Sequence, residues 1–263
     1  MTFEDITVVV QDGIGVLSLN RPERGNAVRP QTLMEICEGV DHLDRDDSAK
    51  AIIFRSEGKH FCAGADFDFL ESLTTMPPVD VHTQIYRHFQ GAARRIYHCR
   101  KPTVALVSGA AVTVGCELSL ACDFRLVSES AFFQESWIKL GLLPPLGGLF
   151  LLPRLVGLGR ASQMVLRAEA INAETAVSIG LAMEVVKRED LDARGKQLAL
   201  ELSRLAPLAY ASIKEAMHRG LETSMEAEWS SNVLNQAMLL SSTDFREGLA
   251  AAKEKRQALF RGS

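Results

Sequence analysis

No stretch limits the fold of this chain more than Lys101-Pro-Thr-Val-Ala-Leu-Val-Ser-Gly-Ala-Ala-Val-Thr-Val-Gly-Cys-Glu-Leu-Ser-Leu-Ala-Cys-Asp123. Thr103 to Val107 is a short β-branched and apolar run bounded by Pro102 and Gly109, the pattern of a buried strand, and beyond Gly115 the apolar spacing turns helical. A strand feeding a buried helix is expected. The start of such a helix has unpaired N–H groups and partial positive charge, so the backbone at Val114 and Gly115 is suited to holding an oxyanion. Glu117 then stands within one turn of that place, an acid in an otherwise apolar helix. The competing reading is a core glutamate satisfied by neighbouring backbone.

The flanking sequence builds an α/β frame around this stretch. Ile6–Gln11 and Ile14–Asn20 are β-rich runs joined by Asp12-Gly13, a strong hairpin signal. Leu33, Ile36, Val40 and Leu43 share one face of a helix of roughly fifteen residues. Ala51 to Phe54 is a short strand, so parallel pairing through a right-handed crossover is expected. Phe61-Cys-Ala-Gly-Ala-Asp66 is a small-residue segment that lets a ligand approach the backbone, or forms a tight structural turn. Residues 67 to 82 read as mixed, with Met76-Pro-Pro78 breaking any helix, and Thr83 to Cys99 as one helix with Ile85, Phe89, Ala92 and Ile96 on one side. Asp123–Val127, Ala131–Gln134 and Leu181–Val186 read as strands. The apolar, glycine-punctuated loop from Trp137 to Gly148 opens a helix through Leu155, and Arg160–Arg167 and Ala173–Gly180 are short helices, the second capped by Asn172. From Asp190 onward four amphipathic helices follow and no strand signal returns. An α/β core over residues 1–200 and a helical region over 201–263, packing on the core and on neighbouring subunits, are therefore expected.

Composition narrows what such a chain can bind. With 263 residues it is long enough to bury a large core, and a net charge of −4 argues against broad binding of nucleic acid or an anionic membrane. The five cysteines, Cys37, Cys62, Cys99, Cys116 and Cys122, form no CxxC pair, and the six histidines no HExxH; neither a disulfide frame nor a metal site is favoured. An acidic start without an apolar leader, and no apolar run of spanning length, place the protein in the cytoplasm by expectation.

Taken in order, seven segments carry a resemblance. They are Leu19-Asn-Arg-Pro-Glu-Arg-Gly-Asn-Ala-Val28, Phe61 to Asp66, Lys101-Pro-Thr-Val-Ala, Gly115 to Asp123, Lys139-Leu-Gly-Leu-Leu-Pro144, Gly147-Gly148, and Phe245 through Glu254-Lys-Arg256. In order and approximate spacing the chain resembles the enoyl-CoA hydratase/isomerase superfamily, the crotonase family. The resemblance implies a spiral of ββα units in two nearly perpendicular sheets, a C-terminal helical trimerisation region, homotrimers or dimers of trimers, and an acyl-CoA thioester ligand with no cofactor beyond the coenzyme A of the substrate. It also implies an enolate oxyanion held by the amides of Ala65 and Val114, with Glu117 as acid/base. Arg24, Ala27, Lys59, Ala63, Asp66, Gly115 and Trp137 fall on substrate-binding positions.

Three departures from the family pattern stand out. Val114 replaces a usual glycine and restricts the backbone at one donor. Asp68 stands where a lysine is common, weakening the phosphate grip. Trp137 holds the place of the second hydratase glutamate, and it cannot transfer a proton. Glu135, two residues earlier, faces the same way as Trp137 if the backbone there is extended and diverges from it if a helical turn has begun. A 2-enoyl-CoA hydratase is the leading expectation. A one-glutamate double-bond isomerase and a non-catalytic acyl-CoA binding protein are the alternatives.

Overall fold

In a computed structural model the chain is described over residues 2–263, with Gln84, Ile85 and Tyr86 in backbone only, so the expected apolar position Ile85 lies outside the described side chains. The first half of the chain holds β1 (Ile6–Gln11), β2 (Ile14–Leu19), α1 (Pro30–Arg45), β3 (Ala51–Ser56), α2 (Phe67–Leu73), α3 (Pro78–Gln84), α4 (Gly91–Tyr97), β4 (Thr103–Val107), β5 (Ala110–Val112) and α5 (Val114–Leu120). After these come β6 (Phe124–Ser128), β7 (Phe132–Gln134), α6 (Gly148–Val156), α7 (Leu158–Leu166), β8 (Ile171–Asn172), α8 (Ala173–Ser178) and β9 (Glu184–Val186). Four helices close the chain: α9 (Leu191–Ser203), α10 (Pro207–Gly220), α11 (Met225–Ser241) and α12 (Thr243–Glu254).

Two sheets form from these strands, one in the order β1-β2-β3-β4-β6-β9 and one in the order β5-β7-β8. β1 and β2 pair antiparallel through Asp12 and Gly13, both at positive φ, and β2 to β3 is parallel as the strand–helix–strand order requires. One face of the large sheet buries Leu33, Ile36, Val40 and Leu43 of α1. The other packs on α9, where Leu198 and Ala199 join Ile53, Val104, Leu106 and Leu126. A Cβ on Gly195 of α9 would come within 2.5 Å of the Leu106 side chain, so the absence of a side chain there sets how closely α9 lies on the sheet. α11 buries no residue, and α10 and α12 bury only Lys214, Asp244 and Ala251 between them. Among the described residues no helix is long and apolar enough to cross a membrane.

The structure corrects four local expectations. β4 does not run straight into a helix: the chain turns at Gly109 (φ 60), enters the second sheet as β5, and α5 begins at Val114. Residues 67–82 are largely helical, with the break confined to the segment before Pro78, which takes the first position of α3 where its missing N–H costs nothing. The single helix expected over Thr83–Cys99 is divided, since a π-helical segment Ile85–Gln90 joins α3 to α4. The strand expected from Leu181 is only Glu184–Val186, because the amides of Leu181 and Ala182 both close onto the Ala176 carbonyl behind α8. Asn172 caps α8 as its position suggests, accepting from the Thr175 amide at 2.9 Å.

Candidate active site

Two backbone segments, far apart in sequence, meet at the start of α5. Cys62 bridges Ala111 and Ala65 bridges Val28, each in parallel sense, so the Cys62–Asp66 segment lies between the turn before α1 and the end of β5. A Cβ on Gly64 (φ 116) would fall 2.6 Å from Thr113 Oγ1, and one on Gly115 would fall 2.6 Å from the Cys62 carbonyl oxygen. Glycine at both positions is what lets these segments close on each other. Around them most amides are engaged: Val28 N donates to Gly64 O, Asp66 N to Val28 O and Thr113 N to Gln134 O, each at 2.8 Å. Among the described residues no protein acceptor takes the N–H of Ala65 or of Val114. Val114 itself sits in the first helical position with its side chain wholly in the core; the strained residue is Thr113, at φ 46 and ψ −107. A β-branched residue rarely adopts that conformation, and here it turns the chain from β5 into α5.

Glu117 lies one turn further on, 1% exposed. Its Oε2 accepts from the amides of Leu146 and Gly148, both at 2.8 Å, and its Oε1 from Trp137 Nε1 at 3.2 Å. Those two amides belong to the entry of α6, so the carboxylate sits at a helix N-terminus, where partial positive charge favours it. A Cβ on Gly148 would meet Glu117 Oε2 at 3.0 Å, and glycine there lets the amide approach the acid. Burial pushes the Glu117 pKa up, and the three N–H donors hold it back, leaving it at about 7. A carboxyl poised near neutrality can both take and return a proton.

Trp137 is 3% exposed and opens the 3-10 turn Trp137–Leu140. Ser136 before it has left the extended conformation (φ −96, ψ 13), so Glu135 and Trp137 do not project in parallel. Of the two, Trp137 lines the adjoining cavity and Glu135 does not. Glu135 is nonetheless buried, 1% exposed, and neither of its oxygens has a hydrogen-bond partner. Burial and the charge of Glu117 push its pKa well above the ordinary carboxylate range, with the Cys116 thiol a weak counterweight. Burial and the neighbouring Glu117 thus both favour its protonated form. Because the Trp137 N–H favours the ionised form of Glu117, Trp137→Phe is expected to raise the Glu117 pKa. The acid limb of the kcat/KM–pH profile would then move to higher pH, and an unmoved limb would detach Trp137 from the chemistry.

The cavity beside Trp137 measures about 770 Å³ and runs between α2, α3 and the Trp137–Pro145 segment. None of the remaining expected ligand residues lines this cavity. Ala63 N donates to Gly25 O, Arg24 O accepts from Ala27 N, and Arg24, Lys59 and Ala63 are exposed with Ala27 half-buried. Arg24 and Asp68 form an exposed ion pair at 3.7 Å, so the residue standing in place of a lysine draws on a cation as well as removing one. Asp66 has both oxygens engaged inside the protein, one on Arg21 Nη2 at 3.2 Å and one on the Asp68 amide, where it caps α2. It organises the loop through these bonds.

Sequence reasoning missed the groups that hold Glu117. The Leu146 and Gly148 amides were legible only as part of a glycine-rich loop. Arg125, a cation within an apolar strand pattern, was the one available signal for what fixes the far end of α5: its guanidinium is buried and donates to the carbonyls of Ser119, Cys122 and Leu181 at 3.0, 2.7 and 2.7 Å.

Comparison with known proteins places this geometry among relatives. The family profile described as enoyl-CoA hydratase/isomerase matches residues 10–263. Crotonyl-CoA hydratase of Syntrophomonas wolfei is 34% identical over 265 residues, covering 99% of this chain and 99% of that protein. The 1,2-epoxyphenylacetyl-CoA isomerase of Escherichia coli is 31% identical over 253 residues, covering 96% and 97%. The crystal structure of an enoyl-CoA hydratase from Bacillus anthracis superposes with a TM-score of 0.91 at 28% identity, covering 99% of this chain and 100% of that one.

Proposed function

The chain belongs to the enoyl-CoA hydratase/isomerase family, and from that premise we propose that it hydrates 2-enoyl-CoA thioesters. The observation that carries this is Glu117, a buried carboxyl titrating near neutrality, fixed by three N–H donors and joined through Trp137 to an apolar cavity. The free amides of Ala65 and Val114 take the thioester oxygen as it gains negative charge, a role in which one donor contributes about 3 to 4 kcal/mol. Glu117, ionised, removes a proton from the attacking water. The proton needed at the α-carbon returns from Glu117, which gives back what it took from the water. Arg24, Ala27, Lys59 and Ala63 form the rim on which the nucleotide part of coenzyme A rests, with Gly115 supporting the donor loop and Trp137 the acyl end.

A second reading, double-bond isomerisation, is favoured by one specific observation: the side chain bonded to Glu117 on the cavity side is an indole, and a single carboxylate suffices to move a proton between two carbons of a common enolate. Steady-state assay separates the two. Loss of 2-enoyl-CoA absorbance with a hydroxyacyl product is expected, whereas turnover of 3-enoyl but not 2-enoyl substrate would replace hydration by isomerisation. Tight acyl-CoA binding with neither reaction would sink both and leave a binding protein.

The helical region from residue 201 is assigned to self-association as a trimer or paired trimers. Support comes from α11, which leaves Met225, Trp229, Val233, Leu234 and Met238 exposed. Five free, buried cysteines suit a reducing compartment, and we place the protein in the cytoplasm.

A further inference from the structure

Resting on the acyl-CoA reading above, we propose that the acyl group is an apolar chain well beyond four carbons, laid lengthwise in the cavity beside Trp137. Ten of the twelve described residues lining that cavity are apolar, and the two polar ones, Glu71 and Thr74, are both exposed. Phe89, 1% exposed and stacked on Phe69 at 5.5 Å, and Trp137, 3% exposed, form its buried part. Leu142 and Leu143, 50% and 65% exposed, extend the apolar lining outward. The volume of about 770 Å³ is in the range of pockets that enclose whole drug-sized ligands, roughly 300 to 1,000 Å³. A four-carbon acyl group fills a small part of it and leaves the remaining apolar wall in contact with water or with nothing, forfeiting both burial and dispersion. A longer chain covers that wall.

The same lining also sets what the acyl group cannot carry. Among the described lining residues there is no cation, the one side-chain N–H, Trp137 Nε1, is already engaged by Glu117, and Glu71 opposes a terminal carboxylate. The ligand class is therefore a monocarboxylic, medium-length acyl thioester, and dicarboxylic acyl groups are rejected.

Calorimetric titration of the purified protein with saturated butanoyl-, decanoyl- and ω-carboxydecanoyl-CoA tests this without depending on which reaction occurs. Each methylene taken into the cavity contributes roughly fourfold in affinity, so decanoyl-CoA is expected to bind at least 100-fold tighter than butanoyl-CoA. The ω-carboxyl form should lose most of that gain. Leu142→Glu, a change at a half-exposed position, should lower decanoyl affinity at least tenfold and butanoyl affinity much less. Equal or tighter binding of butanoyl-CoA overturns the chain-length assignment while leaving the acyl-CoA reading in place. An unaffected decanoyl affinity in Leu142→Glu overturns the placement of the chain in this cavity. Failure of every acyl-CoA to bind overturns the parent reading and this inference with it.

Discussion

Replacement of Glu117 by Gln is expected to lower kcat about a thousandfold, within the range ascribed to general acid–base groups, with acyl-CoA binding retained. The amide is nearly the shape of the carboxylate. Its oxygen can still accept from Leu146 and Gly148, but its NH2 must then face Trp137 Nε1, a donor against a donor. The loss is thus of proton transfer and of one weak bond, not of the loop. A residual kcat within tenfold of the parent would remove Glu117 from the chemistry. A second readout is stability. A carboxyl whose pKa is raised on folding binds its proton more tightly in the folded chain, so its contribution is fully present below the unfolded value of 4.5 and is lost as pH rises through about 7. The charged form therefore costs the fold on the order of 3 kcal/mol above neutrality. Relative to the parent, Glu117→Gln should melt at a higher temperature at pH 8 than at pH 5, and thermal scans at the two pH values check this. Activity and stability are opposed at this residue, as is usual where a site holds a desolvated acid.

Arg125→Met should destabilise the protein by roughly 3 kcal/mol, although it lies outside the site. α5 is only seven residues long and cannot satisfy its own last carbonyls. Arg125 does this from the neighbouring strand β6, donating to Ser119 and Cys122 at the end of the helix and to Leu181 behind α8. No carboxylate lies within ion-pair distance among the described residues, and burial lowers its pKa, yet a guanidinium stays charged at any ordinary pH. Methionine matches the volume and offers no donor, leaving buried acceptors at about 1 to 3 kcal/mol each, offset in part by no longer burying a charge. The shift of the urea midpoint measures the effect. A midpoint unchanged from the parent would mean that water or a shifted backbone replaces the guanidinium. Because α5 carries both Val114 and Glu117, activity in this variant should fall at temperatures below the melting transition.

Much of the fold was legible because its signals are local. Asp12-Gly13 can hardly do other than turn a hairpin, the spacing of Leu33, Ile36, Val40 and Leu43 places one helix face in the core, and Asn172 caps the helix it precedes. The second sheet was not legible. Ala110–Val112 continues the apolar run of β4, and only the close approach of Gly109 to the Lys59 carbonyl, 2.3 Å from where a Cβ would stand, shows that the chain must leave the first sheet there. The division of the expected helix over residues 83–99 was likewise invisible, because a π-helical segment inserts without interrupting the apolar pattern around Phe89 and Ile96.

At the site the division follows the range of the forces. Sequence alone placed an acid, Glu117, in an apolar helix within a turn of its expected start and left residues 61–66 as a close-approach segment or a tight turn, while the family resemblance set Trp137 where a second glutamate is usual. Tertiary structure alone decided what those residues are. Glu117 becomes a near-neutral acid only because the amides of Leu146 and Gly148, 29 and 31 residues away, converge on it while burial opposes its charge. Whether Glu135 or Trp137 meets the cavity turned on the backbone angle at Ser136, and the upward shift of the Glu135 pKa on its burial and then on the charge of Glu117. Desolvation and charge act through space, and a linear pattern does not record how near two side chains come or how much water separates them.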